Sequence, residues 1–267
     1  MRKAVTCFAV FSILLAMMSV SFAATVQSEI DLENGVIRVK SLAAGKATEQ
    51  NPGVRRGQAK RAAISNAQLE LFERVKNIRF DADNSVGDLL TNSEVAAAEM
   101  NYAIKSLSEV SEKFFDDDTC EVVIELPIFG QKNSVLAAAF APYKADEKIS
   151  FPQPSGKIIS AGNYTGLIVD CRGLDLQTAL SPAIQNNRGK LIYSRQNLDF
   201  EKILAQGMVS YSNSITDARA GNNPLVVKAV KISGAVNPVV TNRDANKILR
   251  ANQAAHFLDN CAIVFVR

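Results

Sequence analysis

A cysteine with a carboxylate and a guanidinium beside it, Asp170-Cys171-Arg172, ends an apolar run of this chain. Such a thiol could act as a nucleophile, because a nearby cation favours the thiolate, but the reaction also needs a base. The only histidine, His256, lies far along the chain, near the end of the last predicted helix. Neighbouring side chains on a strand point to opposite faces, so Asp170 and Arg172 can pair on a face that Cys171 avoids. The sequence therefore predicts no catalytic residue, and a cysteine-dependent enzyme is the least favoured function.

Cys171 and Cys261 offer a second kind of chemistry, a possible disulfide. Cys171 ends one predicted strand and Cys261 begins another. Antiparallel neighbouring strands would bring the two thiols together, whereas parallel strands would hold them about 15 to 20 Å apart, at about 3.3 Å per residue. The alternative is a pair of buried free thiols, since unpaired cysteine packs as a small apolar residue. The sequence alone leaves both open.

Metal and cofactor sites are not predicted. The cysteines form no CxxC pair and the chain has one histidine, so no spacing indicates a zinc site. The run Asp116 to Asp118 lacks the alternating ligands, the glycine and the distal glutamate of an EF-hand. We interpret it as a solvated hairpin tip, and we expect no metal and no cofactor.

The first residues have the pattern of a secretory signal. Arg2 and Lys3 precede an apolar run, and small residues at Ser21 and Ala23 fit cleavage after Ala23. Residues 1–23 are thus the predicted signal peptide, with an uncleaved anchor as the alternative. Their removal leaves 28 basic and 27 acidic side chains, a net charge of +1, which gives no reason to expect nucleic acid as a partner. We expect a periplasmic or outer-membrane-associated protein without a later membrane span.

The helices and strands predicted from the sequence fall into two groups along the chain. In the first, Ser28 to Leu42 predicts a hairpin around Asn34-Gly35, and a stripe of apolar residues predicts a long amphipathic helix. That stripe consists of Ile64, Ala67, Leu71, Val75 and Ile78. The basic side chains Arg55, Arg56, Lys60 and Arg61 at its start are interpreted as a solvated helix face. A short strand over 78–82, an alanine-rich helix over 93–106 and two strands flanking Asp116 to Asp118 complete this half.

The second group follows a stretch rich in proline and glycine. That stretch predicts a linker over 142–162, between an N-terminal domain over 24–141 and a C-terminal domain over 163–267. Beyond it we expect strands at TGLIVDC, GMVSYS, PLVVKAVKI and NPVVT, a hairpin of ALSPAI and KLIYS around Asn186 to Gly189, and a short helix over 199–206. Thr241 and Asp244 predict the start of a last helix, and CAIVFV a central strand. The fold class is α/β (α+β), with a mixed or mainly antiparallel sheet and one or two helices in each domain.

Several of these segments together resemble a known family. The stretches IDLENGVIRV, AKRAAISNAQLELFERVKNIRFD and VVIELPIFG are similar to the small bacterial outer-membrane lipoproteins typified by the twenty-kilodalton Helicobacter lipoprotein, and to the flagellar ring proteins FlgP and FlgT. The stretches YTGLIVDCRGLDLQTALSPAI, NPVVTNRDANKIL and FLDNCAIVFVR look like the extension of longer envelope proteins in this group. The chain departs from the lipoproteins because no lipidated cysteine begins the mature sequence.

The resemblance implies an α/β envelope protein that acts by assembling with other proteins. We therefore expect a non-enzymatic structural or assembly component, with envelope proteins or a second copy of the chain as partners. The alternative is a periplasmic ligand- or carbohydrate-binding module. A carbohydrate site is the weaker form of this alternative, because the chain has no tryptophan and its five tyrosines are scattered.

Overall fold

The structure is a computed structural model that describes residues 25–31, 35–155 and 162–267. Within these ranges the chain has an α+β fold with two domains, as the sequence predicts. The predicted signal sequence and its cleavage after Ala23 lie outside the described residues. None of the helices in the described ranges combines the length and the apolar character needed to cross a membrane.

The N-terminal domain is built on one antiparallel sheet. Its strands are β1 (Thr25–Asp31), β2 (Val36–Ala43), β3 (Glu109–Phe114) and β4 (Cys120–Pro127). They lie in the order β1-β2-β4-β3. Alternate side chains of β2 and β4 are buried, which is the two-residue period of a strand with one face on a core. Asn34 of the predicted hairpin turn lies outside the described residues, and Gly35 follows it with a φ of +66° that favours glycine.

The helices of this domain are α1 (Pro52–Lys76), α2 (Val86–Asn92), α3 (Glu94–Lys105) and α4 (Val135–Phe140). The long helix predicted from the apolar stripe is α1, and it packs against β2 and β4. Its fully buried residues recur at steps of four and are mostly small: Ala59, Ala63, Ala67, Leu71 and Val75. Small side chains let the helix approach the sheet closely. Ile64 and Ile78, which we placed in the same stripe, are only half-buried.

The strand predicted over 78–82 is wrong. Arg79 forms only a single bridge with Ser85. The Asp81 carboxylate accepts hydrogen bonds from the backbone N–H groups of Asp83 and Asn84, so the chain turns here and enters α2. The seven residues of α2 and the six of α4 are too few to show a helical period, so neither helix is predicted from the sequence.

Three of the four basic side chains at the start of α1 pair with acids, which corrects the interpretation of a solvated face, whereas Arg61 is exposed. Arg55 and Arg56 both donate to the carboxylate of Asp118, Arg56 at 2.7 Å. Lys60 lies 2.7 Å from Glu112 and 3.2 Å from Glu109 on β3. The last aspartate of the expected solvated tip is itself buried, and the two arginines hold its pKa below the usual range. Asp118 and the two glutamates of β3 therefore balance three of the four cations, while Asp116 and Asp117 are exposed as the sequence predicts.

The C-terminal domain contains a parallel sheet and a mixed sheet. The parallel strands are β5 (Leu167–Asp170), β8 (Ser210–Ser212), β9 (Leu225–Lys228) and β12 (Ile263–Val266). Their order is β8-β12-β5-β9, so the wholly apolar β12 lies inside the sheet as predicted. Every residue of β12 is buried. A parallel strand covered on both faces requires this continuous apolar run.

The mixed sheet has the order β10-β11-β6-β7. Its strands are β6 (Ile184–Asn186), β7 (Leu191–Tyr193), β10 (Lys231–Ser233) and β11 (Asn237–Val240). The helices of the domain are α5 (Phe200–Gln206) and α6 (Asn242–Ala255). The side chains of Asp199 and Thr241 cap them, as the sequence predicts for Thr241. The stretch PLVVKAVKI, predicted as one strand, divides into β9 and β10 of different sheets.

The segment that joins the domains is held against the C-terminal domain. Its described residues form neither helix nor strand between Tyr143 and Leu167. Ile149 donates its backbone N–H to Gln196 at 2.8 Å, and the rings of Phe151 and Tyr193 stack with centroids 6.4 Å apart. Buried side chains of both domains join in one continuous core. The domain bounds 24–141 and 163–267 stay a prediction.

Candidate functional site

A cavity of about 790 Å³ lies between the two domains. The N-terminal domain supplies Asn77 to Arg79, just beyond α1, and the turn after β4 around Phe129. The C-terminal domain supplies Gln177 to Leu180, and the stretch from Ala205 to Tyr211 that joins α5 to β8. Ligand sites of small molecules commonly have this position and this range of volumes.

Backbone hydrogen bonds between the domains fix the walls of this cavity. Leu180 donates to the carbonyl of Arg79 at 3.0 Å, and Ser181 donates to that of Phe80 at 2.6 Å. On another side, Gly130 donates to the carbonyl of Leu204 at 2.8 Å. Because the bonds join the main chains of opposite walls, they fix the positions of these walls relative to each other.

The lining is mainly apolar and carries positive charge. Its larger apolar side chains include Ile78, Ile128, Phe129, Leu136, Leu180 and Met208. Its charged side chains are Arg74, Arg79 and Arg219, and no lining residue in the described ranges is an aspartate or glutamate. The cavity thus combines apolar walls with an excess of cationic groups.

Arg219 is engaged by the protein itself. Its Nε donates to the carbonyl of Cys261 at 2.7 Å, and its two Nη atoms donate to the carbonyls of Gln206 and Gly207 at 2.8 and 2.7 Å. Burial lowers the pKa of this guanidinium from its ordinary high value, yet arginine stays charged at every physiological pH. Arg219 therefore fastens the end of α5 to the loop before β12.

Arg74 is engaged as well, by an acid on its own helix. Its Nε donates to the carboxylate of Glu70 at 2.7 Å, one helical turn earlier. Ser28 of β1 donates to the same carboxylate oxygen at 2.7 Å. These hydrogen bonds lower the pKa of Glu70, with that from Ser28 as the largest cause. Glu70 therefore balances the charge of Arg74.

Arg79 differs from both of these arginines. Its Nε is buried without a hydrogen-bond partner, and its side chain makes no hydrogen bond or ion pair with any residue in the described ranges. The Ser210 hydroxyl, also in the lining, is buried and unpartnered too. A buried donor without an acceptor costs about 1–3 kcal/mol. The cavity therefore has one cationic group whose bonding capacity the protein does not use.

Tyr211 supplies the only phenol among the described lining residues. Its hydroxyl donates to the carbonyl of Ala179 at 3.1 Å and accepts from the Ala179 N–H at 2.9 Å. Burial raises the pKa of the Tyr211 phenol, which is therefore neutral near pH 7. Tyr211 thus closes part of the wall and is not poised to accept a proton.

The residues singled out in the sequence are not part of this cavity. Asp170 and Arg172 pair at 2.8 Å, as expected, but Arg172 lies in the turn beyond β5, where its backbone N–H also donates to the Asp170 carboxylate. The Cys171 thiol is fully buried, and burial, with a contribution from Asp170, raises its pKa to about 12. The thiolate is therefore negligible at neutral pH. His256 is exposed and lies 3.6 Å from Asp259.

The structure has buried free thiols at Cys171 and Cys261, and the disulfide considered from the sequence is not formed. β5 and β12 are parallel, with Leu167 opposite Ile263. Cys171 lies beyond the end of β5, whereas Cys261 lies before the start of β12. A stagger of about six residues at about 3.3 Å each separates the two positions by about 20 Å, well beyond the reach of a disulfide.

Sequence reasoning missed the cavity and its free arginine. Arg79 stands between Ile78 and Phe80 in a stretch predicted as a strand. A charged residue between two apolar ones is the only local signal, and alternation along a half-buried strand produces the same pattern. The neighbours that define the site, such as Leu180, are about a hundred positions away in the chain.

Comparisons with known proteins concern only the C-terminal domain. A family model described as the second domain of Treponema pallidum Tp0624 matches residues 166–267, from just before β5 to β12. This stretch is less than half of the chain. A search of curated proteins finds no match. The chain is thus similar to the second domain of Tp0624 over its C-terminal domain.

Proposed function

We propose that this chain is an exported, non-catalytic binding protein of the cell envelope whose two domains enclose a site for a small molecule with an apolar body. The observation that carries the proposal is the cavity of about 790 Å³ between the domains, with mainly apolar walls. The envelope location rests on the secretory pattern of residues 1–23. This is the ligand-binding alternative of the sequence prediction, and mainly apolar walls favour it over a carbohydrate site.

The physical basis of binding is the removal of apolar ligand surface from water. Burial of about 250 Å² contributes about 6 kcal/mol at about 25 cal/mol per Å². Part of this free energy offsets the translational and rotational freedom that the ligand loses on binding, so the affinity is weaker than the buried area alone would give. Walls already joined by backbone hydrogen bonds lower the ordering cost of binding.

The chemistry of the lining supports binding without turnover. The phenol of Tyr211 is hydrogen-bonded on both sides and Arg219 is held by carbonyls, so neither presents a free acid or base. The buried thiol of Cys171 is protonated and lies outside the lining. The assembly role implied by the family resemblance stays a prediction, and a small-molecule site is compatible with it.

Fluorescence titration with N-phenylnaphthylamine, a neutral apolar probe, tests the proposal. We expect saturable binding of one probe per chain. Thr178 is half-buried in the lining, so Thr178→Trp should fill part of the cavity and weaken binding at least about tenfold. Ala205→Trp repeats the test from α5. Thr91→Trp, at an exposed position in α2, is the matched control.

Absence of saturable binding would reject the proposed function. Binding that both lining variants leave as tight as in Thr91→Trp would reject it equally, because the probe would then occupy another surface. Circular dichroism of each variant establishes that the chain is folded before its titration is interpreted.

A further inference from the structure

We propose that the ligand is a single-chain amphipathic anion whose headgroup pairs with Arg79 while its apolar chain lies along the cavity. This inference rests on the proposed function and adds the chemical class of the ligand. A long-chain carboxylate is the simplest member of the class. The grounds are the charge of the lining, the unused bonding capacity of Arg79 and the volume available.

The charge of the lining selects against neutral and cationic ligands. Three arginines line the cavity, and no carboxylate does so within the described ranges. Glu70 balances Arg74, and three backbone carbonyls engage Arg219. Arg79 alone has neither an acid nor an acceptor among the described residues. A ligand anion would supply the missing counter-charge.

The donors of Arg79 suit an acidic headgroup. A guanidinium presents its N–H groups in a planar fork that matches the two oxygens of a carboxylate. The main chain at this position is fixed, since the Arg79 carbonyl accepts the hydrogen bond from Leu180 across the domain interface. The base of the side chain is therefore positioned before any ligand arrives. Apolar walls around it strengthen a charge pair relative to the same pair in water.

The volume fits a chain of moderate length. If each non-hydrogen atom occupies about 30 Å³, the share of one water molecule in the liquid, a carboxylate with about twelve carbons needs about 420 Å³. The cavity of about 790 Å³ accommodates this ligand in about half of its volume and leaves space for about twelve waters. The volume therefore admits a chain of this length or a longer one.

A purely structural role for Arg79 makes a different prediction. Arg79 lies just beyond the last turn of α1, where the negative end of the helix dipole favours a cation. In that role, removal of the charge would lower stability and leave ligand preference unchanged. In the proposed role, removal of the charge changes ligand preference and leaves the free protein about as stable.

Competition against N-phenylnaphthylamine distinguishes these roles. The competitors are dodecanoate, dodecanol and dodecyltrimethylammonium, which share one chain length and differ in headgroup charge. All are used below their micelle-forming or solubility limits, near neutral pH. We expect dodecanoate to displace the probe at a concentration about tenfold or more below that of dodecanol, with the cation weakest.

Variants at Arg79 test whether this residue causes the preference for dodecanoate over dodecanol. Arg79→Met retains the length and apolar stem of the side chain, and it should remove the advantage of dodecanoate over dodecanol. Arg79→Lys retains a cation and should keep most of that advantage. Arg188→Met makes the same change in net charge at an exposed residue of the β6–β7 turn, so it should behave as the unmodified protein.

The outcomes separate this inference from the proposed function. Saturable probe binding with equal competition by all three compounds overturns the anion proposal alone. Persistence of the dodecanoate advantage in a folded Arg79→Met variant overturns it as well. Failure of the probe to bind rejects the proposed function, and the ligand class is rejected with it.

Discussion

Arg79 and Arg219 line the same cavity from opposite domains, yet their guanidinium groups meet different surroundings. Arg219 donates to three backbone carbonyls at 2.7 to 2.8 Å. Arg79 has a buried Nε with no partner and no ion pair in the described part of the chain. The two guanidinium groups are chemically identical, but the fold supplies hydrogen-bond acceptors only to Arg219 among the described residues.

The difference shows how a charged residue that stabilises the fold can be told apart from one available to a ligand. Carbonyls at the end of α5 and before β12 need donors, and Arg219 supplies them, so its charge is used in the folded state. The polar groups around Arg79 leave its donors unused. Substitution of Arg219 should therefore affect folding, and substitution of Arg79 should affect binding.

Arg219→Met should produce the largest effect, a loss of about 2–4 kcal/mol in the free energy of unfolding. Hydrogen bonds from a charged donor contribute about 1.5–3 kcal/mol each, and part of this is regained where water from the cavity reaches the freed carbonyls. Urea denaturation measures the change, with Arg188→Met as the control for net charge. A loss no greater than that of the control would remove the distinction between the two arginines.

Gly207→Ala should produce the second-largest effect, a loss of about 1–3 kcal/mol in the free energy of unfolding. Gly207 has φ of 73° and ψ of 169°, a region that is nearly restricted to glycine. A Cβ there would also lie 2.9 Å from the ring of Phe129 in the opposite domain. The same substitution at Gly189, with φ of +79° and no atom within 4 Å of an added Cβ, is the control for a positive φ. Equal losses at both positions would show that the Phe129 contact adds nothing.

Arg172 is a third arginine to compare with these two, and its guanidinium lies at the surface. Its partner is the carboxylate of Asp170. Hydrogen bonds from Arg172 hold the pKa of Asp170 at about 2, below its ordinary 3.8, against the opposing effect of burial. Because the pKa of Asp170 is lower in the folded protein, its ion pair with Arg172 stabilises the fold above about pH 3.8. This stabilisation is lost as the pH falls through about 2. Since Arg172 is 54% exposed, we expect less than about 1 kcal/mol.

Arg172→Gln should therefore raise the pKa of Asp170 towards 3.8 and lower stability slightly at neutral pH. Carboxyl NMR titration measures the first effect and urea denaturation the second. The stability difference should shrink as both proteins are acidified, because the protonated carboxyl no longer distinguishes arginine from glutamine. An Asp170 pKa that stays at about 2 in the variant would show that another group controls it.

Local patterns in the sequence were sufficient for much of the fold. The apolar stripe identified α1, the Thr241 and Asp244 spacing identified the start of α6, and the run of apolar residues placed β12 inside its sheet. The pairing of Asp170 with Arg172 was also expected, although the turn after β5 brings the two side chains together and the strand period does not. Each of these depends on neighbours within a few positions along the chain.

Other features depend on distant contacts, which no local pattern contains. The parallel direction of β5 and β12, which separates Cys171 from Cys261, is set by how the chain crosses between them. The partners of Arg55 and Arg56 lie about sixty positions away, at Asp118. The cavity requires both domains at once. A single sequence therefore predicted the strands around Cys171 and missed the site at Arg79.

Arg79→Met should give the smallest loss of stability in the free protein, either none or a gain of up to about 1 kcal/mol in the free energy of unfolding. The substitution removes a buried donor without an acceptor and retains an apolar stem against the cavity wall. Urea denaturation without ligand measures it beside Arg219→Met. A loss comparable with that of Arg219→Met would mean that Arg79 stabilises the end of α1. A negligible loss, together with loss of the preference for dodecanoate, would mean that the fold keeps this cation available for a ligand.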